Sequence, residues 1–230
     1  MASFATRLIR LSFISLLSLE VSLAQGEDSF THSEFAFNQA VFSIHGGLSI
    51  PVYSFASTKG QQAGFAETGF VAGVDTRVPI GRSLFWLIAT TFTYNPIDEY
   101  GFRNSNFIGS TVVLRFGGWW AITPMAGVGL TFPFSDESAF IASARAGIFL
   151  AGSPSIETES GGTSARQSSS TATTFGYCFS VGVLKLSNIH LSLQYQFGKP
   201  KFTAKASNAP SSFTFEQSMS VLQVVVATGL

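Results

Sequence analysis

The chain has 230 residues, with 13 Lys+Arg balancing 13 Asp+Glu. A neutral chain has no electrostatic reason to bind nucleic acid. Charged residues are only 11% of it against about a quarter in ordinary soluble domains, while 24 residues are Phe and 22 are Gly; few charges and many aromatics suit a surface that meets lipid.

Arg7 and Arg10 precede the apolar run Leu11 to Leu19, and Ser22-Leu23-Ala24 supplies small residues at a cleavage site. The run is shorter than the roughly 20 residues of a membrane-spanning helix. A charged start, a short apolar stretch and a small-x-small site read as a secretory signal peptide over 1–24, leaving Gln25 as the first mature residue. Residues 25–40 form an N-terminal segment and 41–230 the main domain. One cysteine, Cys178, allows no internal disulfide, a condition closed barrels tolerate because backbone pairing holds them.

Beyond residue 35, apolar residues recur with period two, between gaps rich in Gly, Ser and Asn. Eight strands are predicted: 41–52, 65–79, 83–94, 119–133, 138–151, 174–186, 188–198 and 215–230. Each is long enough for a tilted strand to cross the hydrocarbon layer. Tight turns join strands two and three, four and five, and six and seven, while the connections near 53–64, 95–118, 152–173 and 199–214 are long. Strict alternation of short and long connections is the asymmetry of outer-membrane barrels, and predicts an all-β, eight-stranded antiparallel up-and-down transmembrane barrel. The stretch 106–116 reads as a strand extension or short helix within the second long loop; the alternative is ten strands, with 106–116 pairing near Phe35–Phe37. The 152–173 segment is rich in Ser, Thr and Gly and has too little apolar surface to order itself, so it reads as mobile and exposed.

Splitting each strand by alternation gives one row without charge. It contains Leu84, Trp86, Ile88 and Phe92 in strand three, Ile122, Val128, Leu130 and Phe132 in strand four, and Phe175, Tyr177, Phe179 and Val181 in strand six. This row is expected to face lipid, where a midplane Arg or Lys costs about 2–4 kcal/mol. Phe85, Trp86, Tyr94, Trp119, Trp120, Phe132 and Phe134 lie near strand ends, as interfacial girdles would. The opposite rows are small or polar and hold His45, Glu67, Asp75, Arg77, Arg145, His190 and Gln194. In an eight-stranded barrel such groups fill the interior, and buried charges need partners; Arg145 with Asp75 or Glu67 is the expected pair of a structural lumen network.

The segments Gly47-Leu48-Ser49-Ile50-Pro51-Val52, Ala63 to Phe70 and Asn95-Pro96-Ile97-Asp98 resemble those of small outer-membrane β-barrel proteins of the OmpA/OmpX-like class. The resemblance spans roughly 40–230. It implies a bacterial outer-membrane location, contact with outer-membrane lipid, and insertion by the barrel-assembly machinery. Such barrels commonly end in an aromatic residue; this chain ends Thr228-Gly229-Leu230.

Chemistry is sparse. There is no HExxH or CxxC and no phosphate loop, so no metal or cofactor is expected. The leading functional reading is a non-enzymatic barrel acting in structure, surface interaction or adhesion, with a surface partner of unknown identity met through its external loops. The alternatives are a lipid-modifying enzyme built on His190 with Ser192 or on His45, a small pore, and a soluble periplasmic ligand-binding β-barrel.

Overall fold

The computed structural model describes residues 40–229 apart from 61, 82, 107, 109–111, 162, 186–188 and 208–210. The predicted signal peptide, nearly all of the 25–40 segment and the Phe35–Phe37 strand candidate lie outside the described residues.

Eight strands close a barrel: β1 Val41–Pro51, β2 Gly69–Pro79, β3 Leu84–Asn95, β5 Trp119–Ser135, β6 Ser138–Gly152, β9 Ala172–Lys185, β10 Ile189–Gly198 and β13 Met219–Gly229. Every neighbour is antiparallel and follows in chain order. β1 pairs with β2 on one side (His45 opposite Gly73) and with β13 on the other (His45 opposite Ala227), which closes the ring. All eight predicted strands are present, and the ring closes without a ninth or tenth. The 106–116 stretch therefore contributes no barrel strand. A short helix, α1 (Glu99–Ser105), precedes it, and β4 (Val113–Phe116) ends it outside the barrel. Asp98 caps α1, its Oδ1 accepting from the Gly101 N–H at 2.8 Å, which satisfies one of the helix's orphan donors. Among the described residues no helix is long and apolar enough to cross a membrane.

Period two sets what each face of the wall carries. The outward row is apolar and exposed: Trp86 is 53% exposed, Ile88 62% and Phe175 69%. The inward row is buried and largely polar, including Ser43, His45, Ser49, Arg77, Thr91, Asn95, Arg145, Gln194, Gln196 and Gln223. The order of a water-soluble barrel is thus reversed. Two residues expected in aromatic girdles, Phe85 and Trp119, are instead buried in the interior; they occupy the inward parity, next to the outward Trp86 and Trp120.

A second sheet, which the sequence pattern does not announce, stands outside the barrel. β4, β7 (Ile156–Ser160), β8 (Thr163–Ser169), β11 (Lys201–Ala206) and β12 (Ser212–Glu216) form a five-stranded sheet in the order β12-β11-β8-β7-β4. This is the order of β13-β10-β9-β6-β5 in the barrel, and each outer strand is joined to its barrel strand by two or three residues. Five of the eight barrel strands therefore continue, past a short break, into an outer wall. Bonds across the breaks, such as Gly117 N–H to Ser155 O and Gln217 N–H to Pro200 O, tie the joints together. Among the described residues no such strand extends β1, β2 or β3 at this end; the long connections there hold a 3-10 turn (Tyr53–Phe55) and α1. The expectation of a mobile 152–173 loop is corrected by this sheet. β7 and β8 form a hairpin, and its outer sides pair with β4 and β11. The hairpin lacks apolar surface, as its composition says, and gains order from ladder partners in two other loops.

Candidate functional site

The interior is layered. Near the end with the short turns, Phe85, Leu87, Ile141 and Leu184 form an apolar plug. At the opposite mouth Phe55, Trp119, Phe149, Phe202, Met219 and Val221 belong to a second, larger one. Trp119 is its centre: its ring meets Phe55 edge-on at 5.6 Å and Phe202 at 5.8 Å, and its indole N–H donates to Gly64 O at 2.8 Å. A cavity of about 10 Å³ is lined there by Thr93, Asn95, Trp119, Phe149 and Gln196 among others, room for roughly one water molecule.

Polar side chains pack between the plugs. His45 Nδ1 lies 3.2 Å from Asp75 Oδ2, and its Nε2 lies 3.4 Å from Thr91 Oγ1. With Nδ1 protonated, the ring donates to the carboxylate and accepts from the hydroxyl. Arg145 Nη2 donates to Gln194 Oε1 at 2.6 Å and to Cys178 Sγ at 3.0 Å, and Gln194 Nε2 passes a bond on to Ser192 Oγ. Ser143 and Ser180 share a bond at 2.6 Å. Towards the outer mouth, Asn95 donates to the Ser49 and Glu67 carbonyls, and Gln223 donates to Thr93. Both interior histidines lie against glycines. A Cβ on Gly73 would fall 2.6 Å from His45 Nε2, and one on Gly182 would fall 2.8 Å from His190 Nε2. Both are too close, so glycine makes the room that the rings fill.

Of the seven residues predicted for the lumen network, His45, Asp75, Arg77, Arg145, His190 and Gln194 are on inward positions of the barrel. Glu67 is not: it is exposed and precedes β2, and only its backbone carbonyl joins the network. The expected Arg145 ion pair is also corrected. Arg145 stands on β6, opposite Cys178 of β9, and bonds Gln194 of β10 on that side of the ring. Asp75 stands on β2, three strands away in the other direction, and is held by His45. The buried guanidinium thus rests on a neutral amide and a sulfur. The sequence reading missed Thr91, Thr93, Asn95 and Thr123, all buried in the interior. The period-two rule would have found them on the inward rows of β3 and β5.

Thr91, His45 and Asp75 have the order of nucleophile, base and orienting acid that hydrolytic triads use. They lie in the filled interior between two apolar plugs, with Thr91 and His45 both buried. His190 and Ser192 do not meet as nucleophile and base: the serine oxygen accepts from Gln194, and His190 Nε2 has no hydrogen-bond partner. Among the described residues no group of three His, Cys, Asp or Glu side chains is placed to hold a metal ion.

The outer sheet has two unlike faces. Leu114, Phe116, Ile156, Phe202 and Phe215 alternate with an exposed polar face that carries Arg115, Glu157, Arg166, Lys201 and Lys205 among serines and threonines. Cross-strand neighbours there include Arg166 with Glu157 (3.4 Å), and Lys199 reaches Glu216 at 2.9 Å. The lysine bond and charge hold the Glu216 carboxyl below its usual range.

No family model matches the chain, and no curated protein matches it. Solved structures similar to it include Ail, the attachment invasion locus protein of Yersinia pestis, with 12% identity, 83% of this chain and 96% of that chain covered, and a TM-score of 0.41. Neisserial surface protein A has 15% identity, 83% and 97% coverage, and a TM-score of 0.41. The outer membrane protein AlkL, solved in DMPC lipid bilayers, has 9% identity, 89% and 97% coverage, and a TM-score of 0.43.

Proposed function

We propose that this protein is exported, spans the bacterial outer membrane as a filled eight-stranded barrel, and presents its five-stranded outer sheet as an interaction surface. The observation that carries the reading is the reversal of polarity across the wall. An apolar belt of Trp86, Ile88, Phe140, Ile148, Phe175, Phe179 and Val181 is exposed while Arg77, Arg145 and His45 are buried. Water outside would leave the belt without a partner, and hydrocarbon outside satisfies it. The end with the short turns faces the periplasm and the outer sheet faces the medium, as the asymmetry of such barrels requires. The signal-peptide reading of residues 1–24 supports export.

The plugs and the tightly bonded polar layer favour a support for the outer sheet over a conduit, and the polar face of that sheet offers charges and hydroxyls to a partner. Fractionation tests the membrane reading: the protein should sediment with outer membranes, require detergent for release and migrate faster on a gel before boiling than after. Recovery in the soluble periplasmic fraction would overturn it. Orientation is read from Ser168→Cys, on the polar face of β8. In intact cells an impermeant maleimide should label this thiol and leave the buried Cys178 unmodified.

A further inference from the structure

The two edges of the outer sheet differ. Beside β4 lies α1, whose Phe102 packs edge-on against Phe116 with ring centroids 5.0 Å apart, and Arg103 Nη1 takes the carbonyl of Val112 at 2.8 Å. That edge is guarded. At the other edge β12 pairs with β11 on one side, and among the described residues no backbone group pairs with its other side. Ser212, Phe213, Thr214 and Glu216 are all exposed, Phe213 at 51%. An antiparallel strand turns the N–H and C=O groups of alternate residues to opposite sides, so β12 offers a row of unused ladder groups. Ser-Phe-Thr-Phe-Glu carries no proline, lysine or bulge, three of the features that blunt an edge, and its one charge, Glu216, is taken up by Lys199.

This segment is complementary to itself. Laid antiparallel about Thr214, Phe213 of one copy meets Phe215 of the other, Thr214 meets Thr214, and Ser212 meets Glu216. Paired residues share a face, so both aromatic pairs fall on one side and the polar pairs on the other. The acidic residue meets a serine rather than its own like, and Lys199 already holds it at 2.9 Å.

We infer that β12 is a homophilic docking strand, pairing antiparallel with β12 of a second copy of this chain. The geometry also says where that copy stands. The two-fold axis relating antiparallel strands is perpendicular to their sheet, so the second copy's outer wall runs in the opposite direction. β12 passes into the barrel strand β13 through two residues, so the second barrel is inverted too. Barrels inserted in one membrane share a direction. The second copy therefore belongs to an apposed membrane, and the contact is one between surfaces. This inference rests on the membrane reading above.

The test uses the full chain reconstituted in phospholipid vesicles, with flotation to verify insertion and heat-modifiable migration to verify folding. Vesicles carrying the protein should cluster, as followed by light scattering. Thr214→Lys and Thr214→Glu each place like charges opposite one another at the centre of the pair, on an exposed position that leaves the barrel untouched. Each variant alone should cluster at least tenfold more slowly, and mixing lysine vesicles with glutamate vesicles should restore the rate. Thr214→Cys should form a disulfide between copies drawn from two differently tagged vesicle populations. Dispersed wild-type vesicles carrying floated, folded protein overturn the pairing alone, as does clustering that ignores the charge at 214 or fails to recover on mixing. Protein that does not float with the vesicles overturns the membrane reading as well.

Discussion

The barrel and the outer sheet are made from the same wall, yet they solve the edge of a β-sheet differently. In the barrel β1 meets β13 and the ladder has no end. In the outer sheet, among the described residues, three of the eight positions are not filled by strands and two edges result, one covered by α1 and one unpaired. Closure also divides the chemistry. The closed part takes polar groups inward and apolar groups outward, while the outer part puts charges on its exposed face as a soluble sheet does. What surrounds the wall, and not the strand itself, decides which row is apolar.

The sharpest way to break this comparison is to place a charge on the same face at two heights. Ile88→Arg, in the middle of the exposed belt, should lower folding stability in vesicles by about 2–4 kcal/mol, measured by urea titration. Thr203→Arg, on the polar face of β11, should change it hardly at all. Equal effects at the two positions would mean that the belt does not meet lipid. Next in size is the filled interior. Gly73→Val puts branched atoms where the His45 ring lies and should cost about 1–3 kcal/mol by overpacking, read in the same titration.

Independence of the two parts is tested by Ala165→Pro. Ala165 pairs with Thr158 inside the β7–β8 hairpin, and a proline within a ladder removes a donor and is poorly tolerated. The variant should become sensitive to protease within 152–172 while its barrel keeps heat-modifiable migration; loss of both together would show the outer sheet to be part of the barrel's folding unit. The smallest effect belongs to Glu216. Its carboxyl is depressed through its hydrogen bond and charge interaction with Lys199. The contact is therefore complete above the ordinary carboxylate range and is lost as pH falls through the lowered value. The Glu216 side-chain resonance should titrate below the ordinary carboxylate range, and Lys199→Ala should return it to that range.

The barrel was legible because its period-two rows run unbroken for ten residues or more, so strand, face and turn all agree. The outer sheet was hidden because its strands have four to seven residues and find their partners in other loops. No local pattern in Ser-Ala-Arg-Gln-Ser announces that β8 stands between β7 and β11. Parity likewise placed His45, Arg145 and Gln194 inside, but it carries no information on position around the ring. Charge alone therefore points Arg145 to Asp75 or Glu67, whereas its place on the ring sets it beside the neutral Gln194 and Cys178. Glu67 lies outside the lumen for another reason: β2 begins at Gly69, four residues after the predicted start, and parity counted across that boundary points an exposed loop residue inward.

The three tryptophans divide the same way. Trp86 and Trp120 have outward parity on the wall, and Trp119 is locked between Phe55 and Phe202 inside the mouth. Bromine atoms carried on acyl chains would darken the first two and spare the third. The emission of a refolding sample would then separate two events in time: arrival of the strands in the bilayer, and the sealing of the lumen behind them.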